Sequence, residues 1–185
     1  MNAERPWRLK LFAIIVLVLG LVLDLGTKAW FASLLGMDPG SPGPFGEIDL
    51  IPGFFALQGT YNPGVTFGLA PGQTGAILLF TSVATLGLFA WLLFTRRASR
   101  LLHAALGLIL AGALGNLWDR WHWSKVRDFF LIYTGDLAEP SFTWPNFNVA
   151  DAFIVGGVCM ILLDELILAP RKERARAIGG TTAAE

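Results

Sequence analysis

The chain has 185 residues, 54% hydrophobic and 15% charged, with a formal net charge of zero and a positive mean hydropathy. A water-soluble domain of ordinary composition carries about 25% charged residues, so the chain is not an ordinary soluble domain, and no nucleic-acid partner is expected. Its single cysteine, Cys159, falls inside an apolar run, which excludes an internal disulfide framework and leaves no thiol at a membrane face to act as a nucleophile.

The apolar residues are gathered in four blocks: Leu11–Leu35, Thr74–Phe94, Leu101–Leu117 and Asn148–Ala169. Each is near the ~20 residues a helix needs to cross ~30 Å of hydrocarbon. They predict an α-helical integral membrane protein with four transmembrane helices and one membrane-embedded domain over residues 1–185. The polar stretch 171–185 reads as a disordered tail. Arg5, Arg8 and Lys10 precede the first block, Arg96, Arg97 and Arg100 fill the second connection, and Arg171, Lys172, Arg174 and Arg176 follow the last. With four spans these segments share a side, and the positive-inside rule puts both termini in the cytoplasm. The first outer loop, Gly36–Gln73, has no Lys or Arg, whereas the second has Arg120, Lys125 and Arg127. A cleaved signal peptide would share the basic start. Asp24 and Lys28 inside the first block, and three spans after it, favour a retained anchor.

Within the first outer loop, Ile48, Leu50, Ile51, Phe54, Phe55, Leu57, Val65 and Phe67 stand between Pro and Gly breakers. This pattern predicts short strands in Glu47–Gly68, turning at Pro52-Gly53 and Asn62-Pro63-Gly64. Trp118, Trp121, Trp123 and Trp144 form an interfacial aromatic belt.

Helix rise turns sequence offsets into depth. Asp24 and Lys28 lie roughly 21 and 27 Å above Lys10, and Asn116 and Asp119 roughly 24 and 28 Å above Arg100. Asn148 and Asp151 open the fourth span, and Asp128 follows the third. Asp24, Lys28, Asn116, Asp119, Arg120, Asp128, Asn148 and Asp151 thus converge on the outer leaflet. Deeper positions hold little comparable apart from Asp164 and Glu165, which are expected to reach water at the cytoplasmic end. Each polar residue also has a plain reading. Asp24 and Lys28 fit an intrahelical i, i+4 pair, and Asn148 with Asp151 fits a helix cap. Asp119-Arg120 fits a solvated pair, Asp128 a loop acid, and Gly112 and Gly115 close helix packing in lipid. Their coincidence at one depth favours a single site. Two carboxylates there, Asp128 and Asp151, suggest acid/base hydrolysis at the lipid–water boundary.

Five blocks in order, Asp24–Lys28, Asn62–Gly68, Gly112–Arg120, Val126–Phe129 and Phe147–Asp151, give the chain its resemblance to the lipoprotein signal peptidases (signal peptidase II), intramembrane aspartyl proteases of bacteria. The departures are Pro63, Thr66 and Arg127. An Arg facing Asp128 would lower the pKa of that carboxylate, so Arg127 is expected to point away. The resemblance implies cleavage of diacylglyceryl-modified prolipoproteins just before the lipid-bearing cysteine, with no metal or organic cofactor. It implies Asp128 and Asp151 as the catalytic pair, supported by Asp24, Lys28, Asn62, Gly64, Asn116, Arg120, Asn148 and Ala150. It further implies a small extracytoplasmic β-sheet and a short amphipathic segment within Gly36–Gln73, and a place in the bacterial cytoplasmic (inner) membrane. Prolipoproteins and membrane lipids are the expected partners, and a monomer suffices.

Two other classes compete. A transporter or proton-translocating subunit needs polar groups through the full membrane thickness, but here the inner halves of the spans are almost wholly apolar. An assembly factor would use the acids only as caps and ion pairs. A metal or serine peptidase lacks support: His103 and His122 sit near opposite ends of the third span, with no zinc-ligand spacing.

Overall fold

Long apolar runs free of internal proline become helices because a helix satisfies its own backbone polar groups, as lipid demands. The computed structural model describes residues 6–64, 74–168 and 170. Arg5, residues 65–73 (with Val65, Thr66, Phe67 and Gly68) and the tail from Arg171 lie outside the described residues. The helices are α1 (Pro6–Leu34), α2 (Thr74–Phe94), α3 (Arg100–Trp123) and α4 (Val149–Leu163), the last continued by a π-helical turn over Asp164–Leu168. The first three are each long and apolar enough to cross a membrane, and α4 reaches a comparable length only with its π turn.

The observed boundaries correct two expectations. α3 runs past Leu117 to Trp123, so Asp119 and Arg120 belong to its last turns rather than to a loop. It stops where Ser124 adopts the left-handed conformation, φ 57°, and donates its N–H to the Arg120 carbonyl. Asp164 does not reach water: it is buried and accepts a bond from Ser99 Oγ at 2.8 Å. Glu165 pairs with Arg97.

α3 is the axis of the bundle. It packs on α1, α2 and α4, and 61% of its apolar window is buried, against 28% for α1 and 17% for α2. In its half away from the sheet, Leu102, Leu106 and Leu110 form a core with Ala13 and Leu92. Nearer the sheet, glycine lets the helices approach. A methyl group on Gly115 would lie 2.0 Å from Asp24 Oδ2, and one on Gly112 would lie 2.3 Å from the Ala150 carbonyl oxygen. Gly115 therefore makes room for a carboxylate, a role beyond packing in lipid.

The sheet is larger than the first loop alone predicts. Strands β1 (Glu47–Ile51) and β2 (Phe55–Asn62) form the expected hairpin, turning through Pro52 and Gly53, but β3 (Val126–Gly135) and β4 (Pro140–Thr143) come from the second loop. All four are antiparallel in the order β1-β2-β3-β4. Among the described residues of Gly36–Gln73 there is no helix that could be the amphipathic segment. Phe129 stacks on Phe31 of α1, ring centroids 4.4 Å apart, in a core with Leu35, Met37 and Leu57. Phe147, just before α4, bridges Phe130 of β3 with bonds in both directions. That bridge brings the start of α4 against β3.

Gly115→Ala is expected to destabilise the fold by about 1–3 kcal/mol through overpacking against Asp24. Gly87→Ala on α2, where a methyl group meets nothing within 4 Å, is expected to be neutral or stabilising by up to about 1 kcal/mol. Thermal unfolding of both variants in detergent checks the contrast, and equal melting temperatures would contradict this packing.

Candidate active site

Asn148 precedes the first turn of α4, where four backbone N–H groups have no intrahelical partner. Its side-chain oxygen accepts from the Asp151 N–H at 3.1 Å, and Asp151 Oδ2 accepts from the Asn148 N–H at 3.1 Å, a reciprocal capping box. The cap reading of these residues is therefore correct, and it leaves their remaining polar atoms free to serve a site as well. The Asn148 oxygen is committed to the cap, so its Nδ2 points away from it and donates to Asp128 Oδ1 at 2.6 Å. One fully buried asparagine thus joins the two candidate carboxylates.

Asp128 lies on β3, not in a loop, and is 2% exposed. Opposite it in the register is Thr60, while Asn62 pairs with Val126, so Asn62 is a diagonal neighbour on the same face. Asn62 Nδ2 donates to Asp128 Oδ2 at 3.1 Å, and Asn62 Oδ1 accepts from the Gly64 N–H at 3.0 Å. Side chains alternate along a strand, and Arg127 accordingly turns away from Asp128. Burial, reinforced by the Asp151 charge, pushes the Asp128 carboxyl from 3.8 up to about 7, against the opposing amide bonds from Asn62 and Asn148.

Beneath this pair lies a charged layer. Lys28 Nζ donates to Asp24 Oδ2 at 2.9 Å and to Asn116 Oδ1 at 2.8 Å, with both charged groups fully buried. Asp24 Oδ1 accepts from the Ala150 N–H at 3.0 Å, a second orphan donor of α4. Asn116 Nδ2 donates to Asp151 Oδ1 at 2.9 Å. The Arg120 guanidinium reaches the Gly64 carbonyl at 3.2 Å and the Asn116 carbonyl at 3.5 Å. All ten residues that the sequence nominated are therefore linked into one hydrogen-bonded network.

Asp119, one of the residues that converge at this depth, and Arg127 are not among the ten site residues that the resemblance implies. The plain reading of Asp119, a solvated pair with Arg120, does not hold. Instead Asp119 is buried and takes the Arg127 guanidinium at 2.6 and 3.1 Å and the Arg127 N–H at 3.0 Å. Once Val126–Phe129 is read as a strand, alternation alone turns Arg127 away from Asp128 and towards the end of α3.

A cavity of about 350 Å³ opens between α2, α3 and α4. Asn116, Arg120 and Asp151 form its polar end, and Leu88, Ile109, Ile154 and Val155 line the rest. Thr81 and Thr85 also face it, but their hydroxyls bond back to carbonyls of α2. The cavity can hold an apolar chain with one polar stretch against the Asp151 carboxylate. A larger cavity of about 440 Å³, between α1, α2 and α3, has no ionisable lining residue. Among the described residues, no three Asp, Glu, His or Cys side chains are grouped to hold a metal.

The chain matches the family model for signal peptidase (SPase) II over residues 15–167. It is 36% identical over 175 residues to a lipoprotein signal peptidase of Methylocella silvestris, covering 92% of each chain. It is 37% identical over 185 residues to one of Methylobacterium radiotolerans, covering 96% of this chain and 97% of the relative. A solved structure described as a bacterial membrane enzyme superposes with a TM-score of 0.67 and 27% identity, over 83% of this chain and 87% of the other. A family match across nearly all the described residues, on a fold shared with a membrane enzyme, shows that the chain belongs to the signal peptidase II family of membrane peptidases.

Proposed function

We propose that this chain removes signal peptides from diacylglyceryl-modified prolipoproteins, cutting before the lipid-bearing cysteine with a water activated between Asp128 and Asp151. The observation that carries the reading is the Asn148 bridge, which holds carboxylates from a strand and a helix together at one end of the bundle. Like charges at short range do not both ionise easily, so such a pair shares a proton. Asp128, the more buried member, holds it. Asp151 takes a proton from water as the water oxygen attacks the scissile carbonyl carbon, and Asp128 protonates the carbonyl oxygen. The tetrahedral diol then collapses. The C–N bond breaks, Asp151 passes its proton to the cysteine nitrogen, and Asp128 recovers one as the signal peptide's new carboxyl forms.

Asn116 orients Asp151, Asn62 and Asn148 orient Asp128, and Arg120 holds the Gly64 carbonyl. Asp24, Lys28 and Ala150 fix α1 and α4 on α3 without touching the reaction. A signal peptide is itself an apolar segment, and the cavity between α2, α3 and α4 fits one whose cleavage point enters the polar end. The charge distribution supports a multi-pass protein of the bacterial cytoplasmic membrane, with both termini inside and the site near the outer face. A single domain acting as a monomer suffices, and no metal or organic cofactor enters the reaction. A transport path finds no support: on α3 the apolar layer of Leu106 and Leu110, packed on Ala13 and Leu92, separates the site from the Ser99, His103 and Asp164 cluster.

Asp128→Asn and Asp151→Asn are each expected to lower cleavage of a lipidated prolipoprotein by at least about 10²–10⁴-fold in protein that still inserts. Near-normal turnover by either variant, measured with purified protein in lipid, would reject the pair. The free enzyme needs Asp128 protonated, so kcat/KM should fall as pH rises through about 7. Stability follows the same sign. A carboxyl raised from 3.8 to about 7 holds, when folded, a proton that the unfolded chain releases. Wild type therefore loses stability as pH climbs through that window, while Asp128→Asn, with nothing to ionise there, does not. Melting curves of the two that run parallel across a pH series would contradict the assignment. A reporter fused after Glu185 should be accessible only from the cytoplasmic side of intact cells, and labelling from outside would reverse the orientation.

A further inference from the structure

We propose that Asp119 and Arg127 form a positioning pair that fixes the Asp128 carboxylate for catalysis, an inference that rests on reading Asp128 and Asp151 as the reacting carboxylates. Arg127 is the residue immediately before Asp128 on β3, and it is held at three places. Its N–H donates to Asp119 Oδ2 at 3.0 Å. Its guanidinium donates to the same carboxylate through Nε at 3.1 Å and through the NH2 nitrogen at 2.6 Å. Its carbonyl accepts from Asn148 Nδ2 at 3.2 Å, the same nitrogen that binds Asp128.

Each hold acts on a different freedom. The N–H and carbonyl bonds fix the peptide planes on both sides of Arg127, and hence the place where the Asp128 backbone begins. The forked guanidinium bonds stop β3 from sliding along the end of α3. Trp123 completes the clamp, with the Arg127 guanidinium over its ring at 4.3 Å from the centroid. Asp119 is in turn held from α1, with Lys28 Nζ 3.9 Å from its Oδ2. The clamp also gives the Arg127 charge a buried partner on the face opposite Asp128. A lysine could supply that charge but not the planar fork.

The test compares purified full-length wild type, Asp119→Asn, Arg127→Lys and the double variant Asp119→Asn with Arg127→Gln. All are reconstituted in lipid and assayed on a diacylglyceryl-modified prolipoprotein, with Asp128→Asn and Asp151→Asn beside them. The single variants should lose about 10- to 100-fold in kcat with KM within about twofold, because a reacting group displaced by about 1 Å costs on that order. Asp119→Asn leaves Arg127 without a full counter-charge and is the variant at risk of failing to fold. The double variant leaves no charge unpaired and Arg127→Lys keeps the charge, so these two carry the test, and both should show the same kcat loss. A clamp serving folding alone would lower the melting temperature and leave kcat per folded molecule within about twofold of wild type, which overturns the proposal. A rise in KM alone also overturns it, since that marks contact with substrate. Inactive Asp128→Asn and Asp151→Asn beside a normal double variant would remove only this inference. Active aspartate variants would remove the catalytic pair and this inference together.

Discussion

The structure depends on burying the Lys28 ammonium without leaving it alone. An unpaired charge in so dry a place costs several kcal/mol even after relaxation. Here Nζ is met by the Asp24 carboxylate and by the side-chain oxygen of Asn116, with the Asp119 carboxylate just beyond direct bonding. Those partners lie on α1 and α3, and the Asp24 carboxylate also caps α4 through Ala150. α1 and α3 thus meet at one depth because a single cation demands partners from both, and the Asp24 carboxylate draws α4 to the same level. Gly115 follows from the same demand, since any larger residue would occupy the space the Asp24 carboxylate needs.

The two proposed catalytic acids rest on this layer but belong to different environments. Asp151 is half-buried at the first turn of a helix, where the helix dipole favours negative charge, and it receives the Asn148 N–H and the Asn116 amide. Asp128 stands on a strand, almost wholly buried, with two side-chain amides and no bonded cation. Equal side chains in unequal surroundings separate an acid from a base. Asn148 couples them because its oxygen is committed to the cap and its nitrogen is left for Asp128.

What could be read from the sequence was the depth of the polar groups. A helix has a fixed rise, so Asp24, Lys28 and Asn116 could be placed at one level from offsets alone, and Asn148 and Asp151 declared the start of α4 by their spacing. What could not be read depended on pairing between distant segments. β3 was missed because Val126–Gly135 follows a span closely and its apolar residues do not alternate cleanly. Both faces of that strand are covered, one by α1 and the other by the site, and continuous burial removes the period-two signal. Asp119 has a partner hidden for the same reason. Its partner is the residue that a strand, and not a loop, turns towards it. Asp164 was misplaced because offset gives depth and says nothing about which face of a helix meets a neighbour.

Charge balance at the site supports the proposed shared proton. Lys28, Arg120 and Arg127 bring three positive charges to a network that contains four carboxylates, Asp24, Asp119, Asp128 and Asp151. Asp24 and Asp119 are bonded directly to Lys28 and Arg127. Arg120 lies within electrostatic reach of Asp151 and Asp128 and can balance one of them. In a dry site a surplus negative charge is costly, and the cheapest remedy is one bound proton. Asp128, the most enclosed of the unpaired acids, is the member whose carboxyl pKa burial raises, to about 7. On this view the acid form needed to polarise a peptide carbonyl is set by the count of cations that converge on the site. An added cation there would expel the proton, and with it the acid, without altering a single catalytic side chain.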